Sequence, residues 1–287
     1  MCTGGKYKMN SENWFSQIKE DVLWHYTDVD ALKSIITDDL KLFSTSQKND
    51  KFESQFGRDI FDKALLGLYH LIGFSELKKE ISDIHFYEKM TKSSFIFSMT
   101  TNRDSACFWQ TYAKNKNGIA IGINASLLKN KLKKYIKALP ELKLQYNGKP
   151  ILGIKERLHL NYCIYNEDEI FANALKYASE FFALQDEISD RDLVILQLMF
   201  LREEISYCYK HPSFLGENEV RISCWNPTLT EQSEKKLFPV KDMISEIIVS
   251  PVAKDFVEVK DQIKNIIGNL NIKISESQCP LWKKDGE

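Results

Sequence analysis

Gly118-Ile119-Ala120-Ile121-Gly122-Ile123 is a run of six residues without a polar side chain, closed by Asn124. A stretch this short and this rich in isoleucine reads as a strand buried in a sheet. Its glycines, Gly118 and Gly122, sit inside the strand and suit close packing rather than a phosphate cradle. Immediately upstream, residues 104–114 have helical spacing, and residues 94–99 (Ser-Phe-Ile-Phe-Ser-Met) form an apolar strand. Immediately downstream, residues 126–139 form a lysine-rich helix, and residues 142–146 are a candidate strand.

Farther toward the N-terminus, residues 21–27 read as a strand. Asp28 caps a helix over 29–37 that places Val29, Leu32, Ile35 and Ile36 at helical intervals. A second strand covers 40–44. A helix over 52–74 lines up Phe56, Ile60, Ala64, Leu68 and Ile72. Toward the C-terminus, residues 167–207 are largely helical with a break near 189–190. Strands at 219–225 and 244–250, a helix at 256–270 and a strand at 272–275 complete the order. Strands and helices mix without strict βαβ alternation, so the fold class is α+β: a mixed sheet with surrounding helices and a helical insertion at about 155–210. No linker rich in Gly, Pro or Ser divides the chain, which reads as one domain over 1–287 with its core at about 21–275.

Composition narrows the function classes. Of 287 residues, 43% are hydrophobic and 28% charged, the balance of a soluble globular protein. Net charge is −1, so no global field draws the chain to a polyanion. Locally the picture differs. Between Lys114 and Lys143 eight lysines face one acid, Glu141; between Glu167 and Asp190 seven acids face one lysine, Lys176. Two solvated faces explain this, as does a basic ridge for nucleic acid or another anionic partner. The six cysteines are scattered without C-x-x-C and read as reduced, mostly buried thiols of a cytoplasmic protein. The first residues lack an apolar core of a secretory signal, and residues 194–201 are too short to span a bilayer, so no membrane is expected.

The chain carries no P-loop, no G-x-G-x-x-G, no G-x-S-x-G and no H-E-x-x-H. Cys208, His211 and Cys224 make a partial metal set without a fourth ligand, so no metal is expected. Three blocks stand out instead. Trp24-His25-Tyr26-Thr27 lies on the first strand. Phe97-Ser98-Met99-Thr100-Thr101 leads to Trp109, Tyr112 and Ala113. Glu217-Asn218-Glu219-Val220-Arg221 enters a late strand. Alternation along that strand would put Glu217, Glu219 and Arg221 on one face, as a surface ladder or as one wall of a cleft.

The order of Trp24-His25-Tyr26-Thr27, Ser-Gln-x-Asn-Asp-x-Phe-Glu at 46–53, Phe97-Ser98, Trp109-x-x-Tyr112-Ala113, Gly118-Ile-Ala-Ile-Gly122, Lys210-His-Pro-Ser-Phe214 and Glu217-x-Glu219-x-Arg221 resembles a widespread bacterial family of unknown function. Lys51 and Val220 depart from it, standing where members often carry Pro and an aromatic residue. That family in turn resembles the ADP-ribosyltransferase superfamily of the His-Tyr-Glu type. The resemblance implies a split mixed sheet whose cleft takes NAD as substrate. It implies that Glu219 and Tyr112 are catalytic, and that His25, Tyr26, Thr27, Ser98 and Trp109 contact NAD. Glu217, Arg221 and Arg103 are then placed at the acceptor or the pyrophosphate. The residue types suit the chemistry. Cleaving the nicotinamide–ribose bond makes an oxocarbenium-like sugar that a carboxylate stabilises. An aromatic face holds the cationic ring, and a histidine donor fixes the far ribose.

The resemblance also implies transfer of ADP-ribose to DNA, RNA or protein, by a bacterial toxin or phage-defence effector working with an antitoxin or defence-system partner. Two alternatives stay open: an NAD glycohydrolase, and a non-catalytic nucleotide- or nucleic-acid-binding module on the same fold.

Overall fold

A computed structural model describes residues 18–45, 53–72, 94–113, 117–142, 144–146, 149–151, 156–183, 202–203, 206–226, 228–229, 233–253 and 255–280. All but the last residue of the resemblance block at 46–53, and the helix break at 189–190, lie outside these residues.

The chain enters on β1 (Val22–Asp28), whose last residue also caps α1 (Val29–Thr37): the Asp28 carboxylate accepts from Ala31 N at 2.8 Å. Then come β2 (Asp39–Ser44), α2 (Glu53–Ile72) and β3 (Ser94–Thr100). α3 (Ala106–Tyr112) leads to β4 (Gly118–Asn124), the opening apolar run. Asn124 ends that strand because its side chain accepts from Leu127 N, 2.9 Å, and starts α4 (Ala125–Ala138). A small hairpin pairs β5 (Leu144–Tyr146) with β6 (Lys149–Ile151). β7 (Arg157–Tyr162) precedes α5 (Glu167–Ala183), and helical turns recur at 202–203 and 206–208. A 3₁₀ helix over Pro212–Glu217 leads into β8 (Glu219–Trp225). β9 (Glu234–Pro239), β10 (Ile244–Val249), α6 (Phe256–Ile267) and β11 (Lys273–Glu276) finish the order.

Among the described residues, nine strands build one mixed sheet, ordered β11-β10-β4-β1-β3-β2-β9, with β8 alongside β3 and β7 alongside β8. Only the β10–β11 pair among these is parallel. The α+β class follows directly. The insertion is shorter than the sequence suggests: β7 lies within 155–210 but pairs along β8 as part of the sheet. Arg157-Leu-His-Leu-Asn-Tyr162 alternates as a strand does, with Leu158 and Leu160 buried and Arg157 and His159 half-buried, but the short run is easily absorbed into the helical block that follows it.

One face of the sheet carries the main core. Ile119, Ile121 and Ile123 of β4, Phe95, Phe97 and Met99 of β3, and Val220 and Ile222 of β8 meet α1 (Val29, Leu32), α4 (Leu128, Leu132) and α6 (Val259, Ile263). On the other face, α3 covers β1 and β4 through Trp24, Tyr26, Phe108, Trp109 and Ala120. Gly122 has a clear reason here. A Cβ would meet the Trp24 ring at 2.9 Å, so only glycine admits the indole.

The sheet is split. β1 pairs with β4 along its whole length but meets β3 only at Trp24 and Thr100. β2 takes the same edge of β3 farther along, at Ile96 and Phe95. Between these contacts, residues 97–99 form no register pair with β1 or β2, and His25 reaches the Ser98 carbonyl there instead. Two half-sheets result: β11-β10-β4-β1 and β9-β2-β3-β8-β7.

Candidate functional site at the split

His25 stands at the split. Its Nδ1 lies 2.9 Å from the Ser98 carbonyl, and its ring lies 4.3 Å from the Phe97 ring. The imidazole thus occupies the place where ladder bonds between β1 and β3 would run. Thr27, two residues on, is half-buried in the same strand.

The late block lies across β3. Register puts Thr100 opposite Glu219, and Ser98 opposite Arg221. β8 begins at Glu219 as the sequence predicts, so the alternation expected to put Glu217 on the same face does not reach back to it. Glu217 ends the 3₁₀ helix, Asn218 takes a left-handed conformation (φ 43°), and the strand begins only at Glu219. Asn tolerates that conformation better than most residues. Neighbours hold the turn: Thr100 Oγ1 donates to the Glu217 carbonyl at 2.6 Å, and Asn102 Nδ2 to the Gly216 carbonyl at 2.9 Å.

The surface-ladder alternative also fails. Glu217, Glu219 and Arg221 are 7%, 4% and 4% exposed, and buried Lys210 joins them. Arg221 grips Glu219 with two donors, Nε to Oε1 at 2.8 Å and Nη2 to Oε2 at 2.9 Å. Lys210 Nζ donates to Glu219 Oε2 at 2.7 Å and also bonds the Glu217 carboxylate. Two cations thus offset two carboxylates away from water. Burial by itself would raise the Glu219 pKa. Arg221 and then Lys210 outweigh it, and the carboxyl sits far below its ordinary range. The backbone is anchored too: Glu219 N donates to Tyr165 Oη at 2.8 Å.

The aromatic candidates separate by exposure. Trp109 is 1% exposed, and its indole N–H donates to Asp104 at 2.6 Å, so its ring has no face open to a ligand. Tyr26 is buried against it, with its hydroxyl donating to the Asn102 carbonyl and accepting from Ser105 N. Tyr112 is 48% exposed and reaches the cluster, its hydroxyl donating to Glu217 Oε1 at 3.3 Å. Burial of the hydroxyl and the nearby Glu217 charge push its pKa up to about 12.

The two arginines differ as well. Arg221 has its guanidinium engaged by Glu219 and by the Tyr207 carbonyl, 3.2 Å away. Arg103 is half-exposed, lies 5.6 Å from the Trp24 ring centre and pairs with Glu246 at 2.8 Å. Partial burial would raise the Glu246 pKa; its bonds from Arg103, Lys273 and Ser275 draw it down to about 2.

The faces matter. Trp24, Thr100 and Glu219 stand side by side in register, so their side chains leave one face of the sheet. His25 follows Trp24, and its ring turns to the main-core face with Phe97. The structure therefore brings Glu217, Glu219, Arg221 and Tyr112 together, and puts His25 on the other face of the sheet, against Ser98 and Phe97.

Lys210 and Tyr165 have no role in the sequence reading. Lys210 appears there only within Lys-His-Pro-Ser-Phe; its place between two carboxylates depends on the turn that comes after it. Among the described residues, no group of three or more His, Cys, Asp or Glu is arranged to hold a metal ion. None of the described helices is long and apolar enough to cross a membrane.

Residues 108–222 match the model of a family described as a protein of unknown function (DUF2971). The match takes in Tyr112, Lys210, Glu217, Glu219 and Arg221, and begins after His25 and Ser98. It agrees with the resemblance to a family of unknown function and attaches no activity to it. No curated protein matches the chain, and no solved structure does.

Proposed function

We propose that the chain is an NAD-dependent ADP-ribosyltransferase-like enzyme working at the split between β1 and β3. The observation that carries this reading is the interrupted ladder itself. The backbones of β1 and β3 pair only at Trp24 and Thr100, with His25 bridging to the Ser98 carbonyl beside that pair and an ionised Glu219 next to Thr100. A sheet with a ligand cleft needs such a seam, and a closed sheet has no use for it.

Each group then has a task. Glu219 stays charged at neutral pH and stabilises positive charge on the ribose as the nicotinamide leaves. Arg221 and Lys210 hold Glu219 Oε2 with a donor each and Arg221 alone bonds Oε1, so Oε1 is the oxygen offered to a ribose hydroxyl. Their engagement makes them positioning residues. Tyr112 offers its half-exposed ring to the nicotinamide, and Phe108 packs behind it with Tyr26 and then Trp109 beyond. Arg103 suits the pyrophosphate better than Arg221, whose donors face inward. Because His25 and Glu219 leave opposite faces, an NAD touching both must lie in the seam. The acceptor is DNA, RNA or protein.

A second reading has its own support. A carboxylate this fully compensated by Arg221 and Lys210 also fits a rigid nucleotide-binding module without transfer chemistry. Incubation with NAD labelled in the ADP-ribose moiety, together with cellular DNA, RNA and protein, distinguishes the cases. Label on a macromolecule is the expected result. Free ADP-ribose alone means a glycohydrolase, bound but intact NAD means the module, and no NAD binding ends all three.

A further inference from the structure

α4 carries five lysines and no acid. Its apolar stripe, Ala125, Leu128 and Leu132, is spent in the main core. Lys131, Lys133, Lys134 and Lys137 are all exposed, over an arc opposite that stripe. None of these four forms an ion pair with another described residue; Lys131 only overhangs the Phe238 ring, 5.9 Å from its centre. Elsewhere, exposed lysines such as Lys264 and Lys273 do have carboxylate partners.

We infer that the exposed arc of α4 is a docking surface for the phosphate backbone of duplex nucleic acid. From Lys131 to Lys137 the helix advances about 9 Å, a length over which a duplex carries about five phosphates. Four lysines on a rigid rod match that density. A membrane fits less well, because an interfacial helix must give its apolar face to the lipid, and here that face packs inside the protein. A single strand fits less well too. The one aromatic side chain on α4, Tyr135, lies against Phe238 at 5.5 Å, which leaves no stacking platform on the arc. A protein partner would call for an exposed aromatic or arginine anchor, and the arc has neither.

This surface lies across the sheet from Glu219. Leu128 and Leu132 share the core with Val220, whereas Glu219 leaves the other face. The inference therefore stands apart from NAD chemistry, and the two are tested by different readouts.

The experiment is fluorescence anisotropy of the full chain with a short labelled DNA duplex over a salt series. The wild type should bind at low salt without sequence preference. Changing Lys131, Lys133, Lys134 and Lys137 together to Gln should weaken binding at least about tenfold and flatten the salt slope by about 3 to 4. The milder Lys134→Gln, Lys137→Gln pair should flatten it by about 2, which keeps the test open if the fourfold variant folds poorly. Lys264→Gln with Lys273→Gln should leave the slope unchanged. Absence of duplex binding by the wild type, an unchanged slope in the folded lysine variants, or lysine-dependent binding to phosphatidylserine vesicles without duplex binding would each overturn the inference.

Discussion

The two half-sheets are stabilised by different physics. In β11-β10-β4-β1 the central strand is apolar on both faces: Ile119, Ile121 and Ile123 enter the main core, and Ala120 packs beneath Trp24 and Trp109. In β9-β2-β3-β8-β7 one face is equally apolar, through Phe95, Val220 and Ile222, but the other holds ions. There Glu219, Arg221, Lys210 and Glu217 form one network. Arg58 grips Glu203 with two bonds of 2.9 Å, and Tyr207 adds a third at 2.6 Å. Apolar burial stabilises by removing area from water and tolerates many substitutions. A buried ion network is intolerant, because each partner removed leaves a desolvated charge. A fold that keeps such a network along one seam holds charged groups ready beside it.

The sharpest way to break this comparison is Glu219→Gln. It keeps the shape but removes a charge between Arg221 and Lys210. Loss of stability by about 3–5 kcal/mol in denaturant titration is expected, since two cations then face only Glu217. Where the variant remains folded, NAD cleavage should fall by about a hundredfold or more. Full cleavage by a folded Glu219→Gln protein would remove Glu219 from the chemistry.

Ile121→Ala tests the other half-sheet. The fully buried side chain should cost about 2–5 kcal/mol in the same titration, and that cost should not depend on pH. Acid sensitivity belongs to the carboxylates, Glu219 on β8 in one half-sheet and Glu246 on β10 beside β4 in the other. Glu219 and Glu246 have pKa values lowered in the fold, so their stabilisation is complete above about pH 4.5 and is lost as pH falls toward the folded values. For Glu246 that window runs from 4.5 down to about 2. Glu246→Gln should therefore flatten the acid branch of a stability–pH curve, and Ile121→Ala should shift the curve without changing its shape.

The smallest effect is expected from Tyr112→Phe. It removes one long hydrogen bond to Glu217 and keeps the ring, so thermal unfolding should report a loss of about 1 kcal/mol or less. NAD binding by calorimetry should survive in Tyr112→Phe and weaken in Tyr112→Ala. Equal binding by both variants would show that the ring does not stack on the ligand.

Local signals in the chain were enough for several elements. The apolar run of β4, the Asp28 cap and the helical spacing of α1 depend on neighbours in sequence, and they fold as expected. Candidate positions were legible for the same reason: a histidine between aromatics and acids beside an arginine are conspicuous among apolar residues. β7 was less so: its six-residue alternation stands beside a long helical block, and its place in the sheet depends on pairing with β8, far along the chain.

Amino-acid order by itself determined the α+β class, the buried central strand, the lysine-rich face of α4 and the small set of residues at the candidate site. Tertiary structure alone decided which aromatic stays open, because exposure of Tyr112 and burial of Trp109 depend on how α3 lies on β1. It also turned an apparent ladder of Glu217, Glu219 and Arg221 into an enclosed network, by a left-handed Asn218 and a lysine delivered from residue 210. The split between β1 and β3 belongs there as well. Strand pairing is a contact between segments about seventy residues apart, set by which edges remain open once β2, β4 and β8 have docked, and no local propensity encodes it.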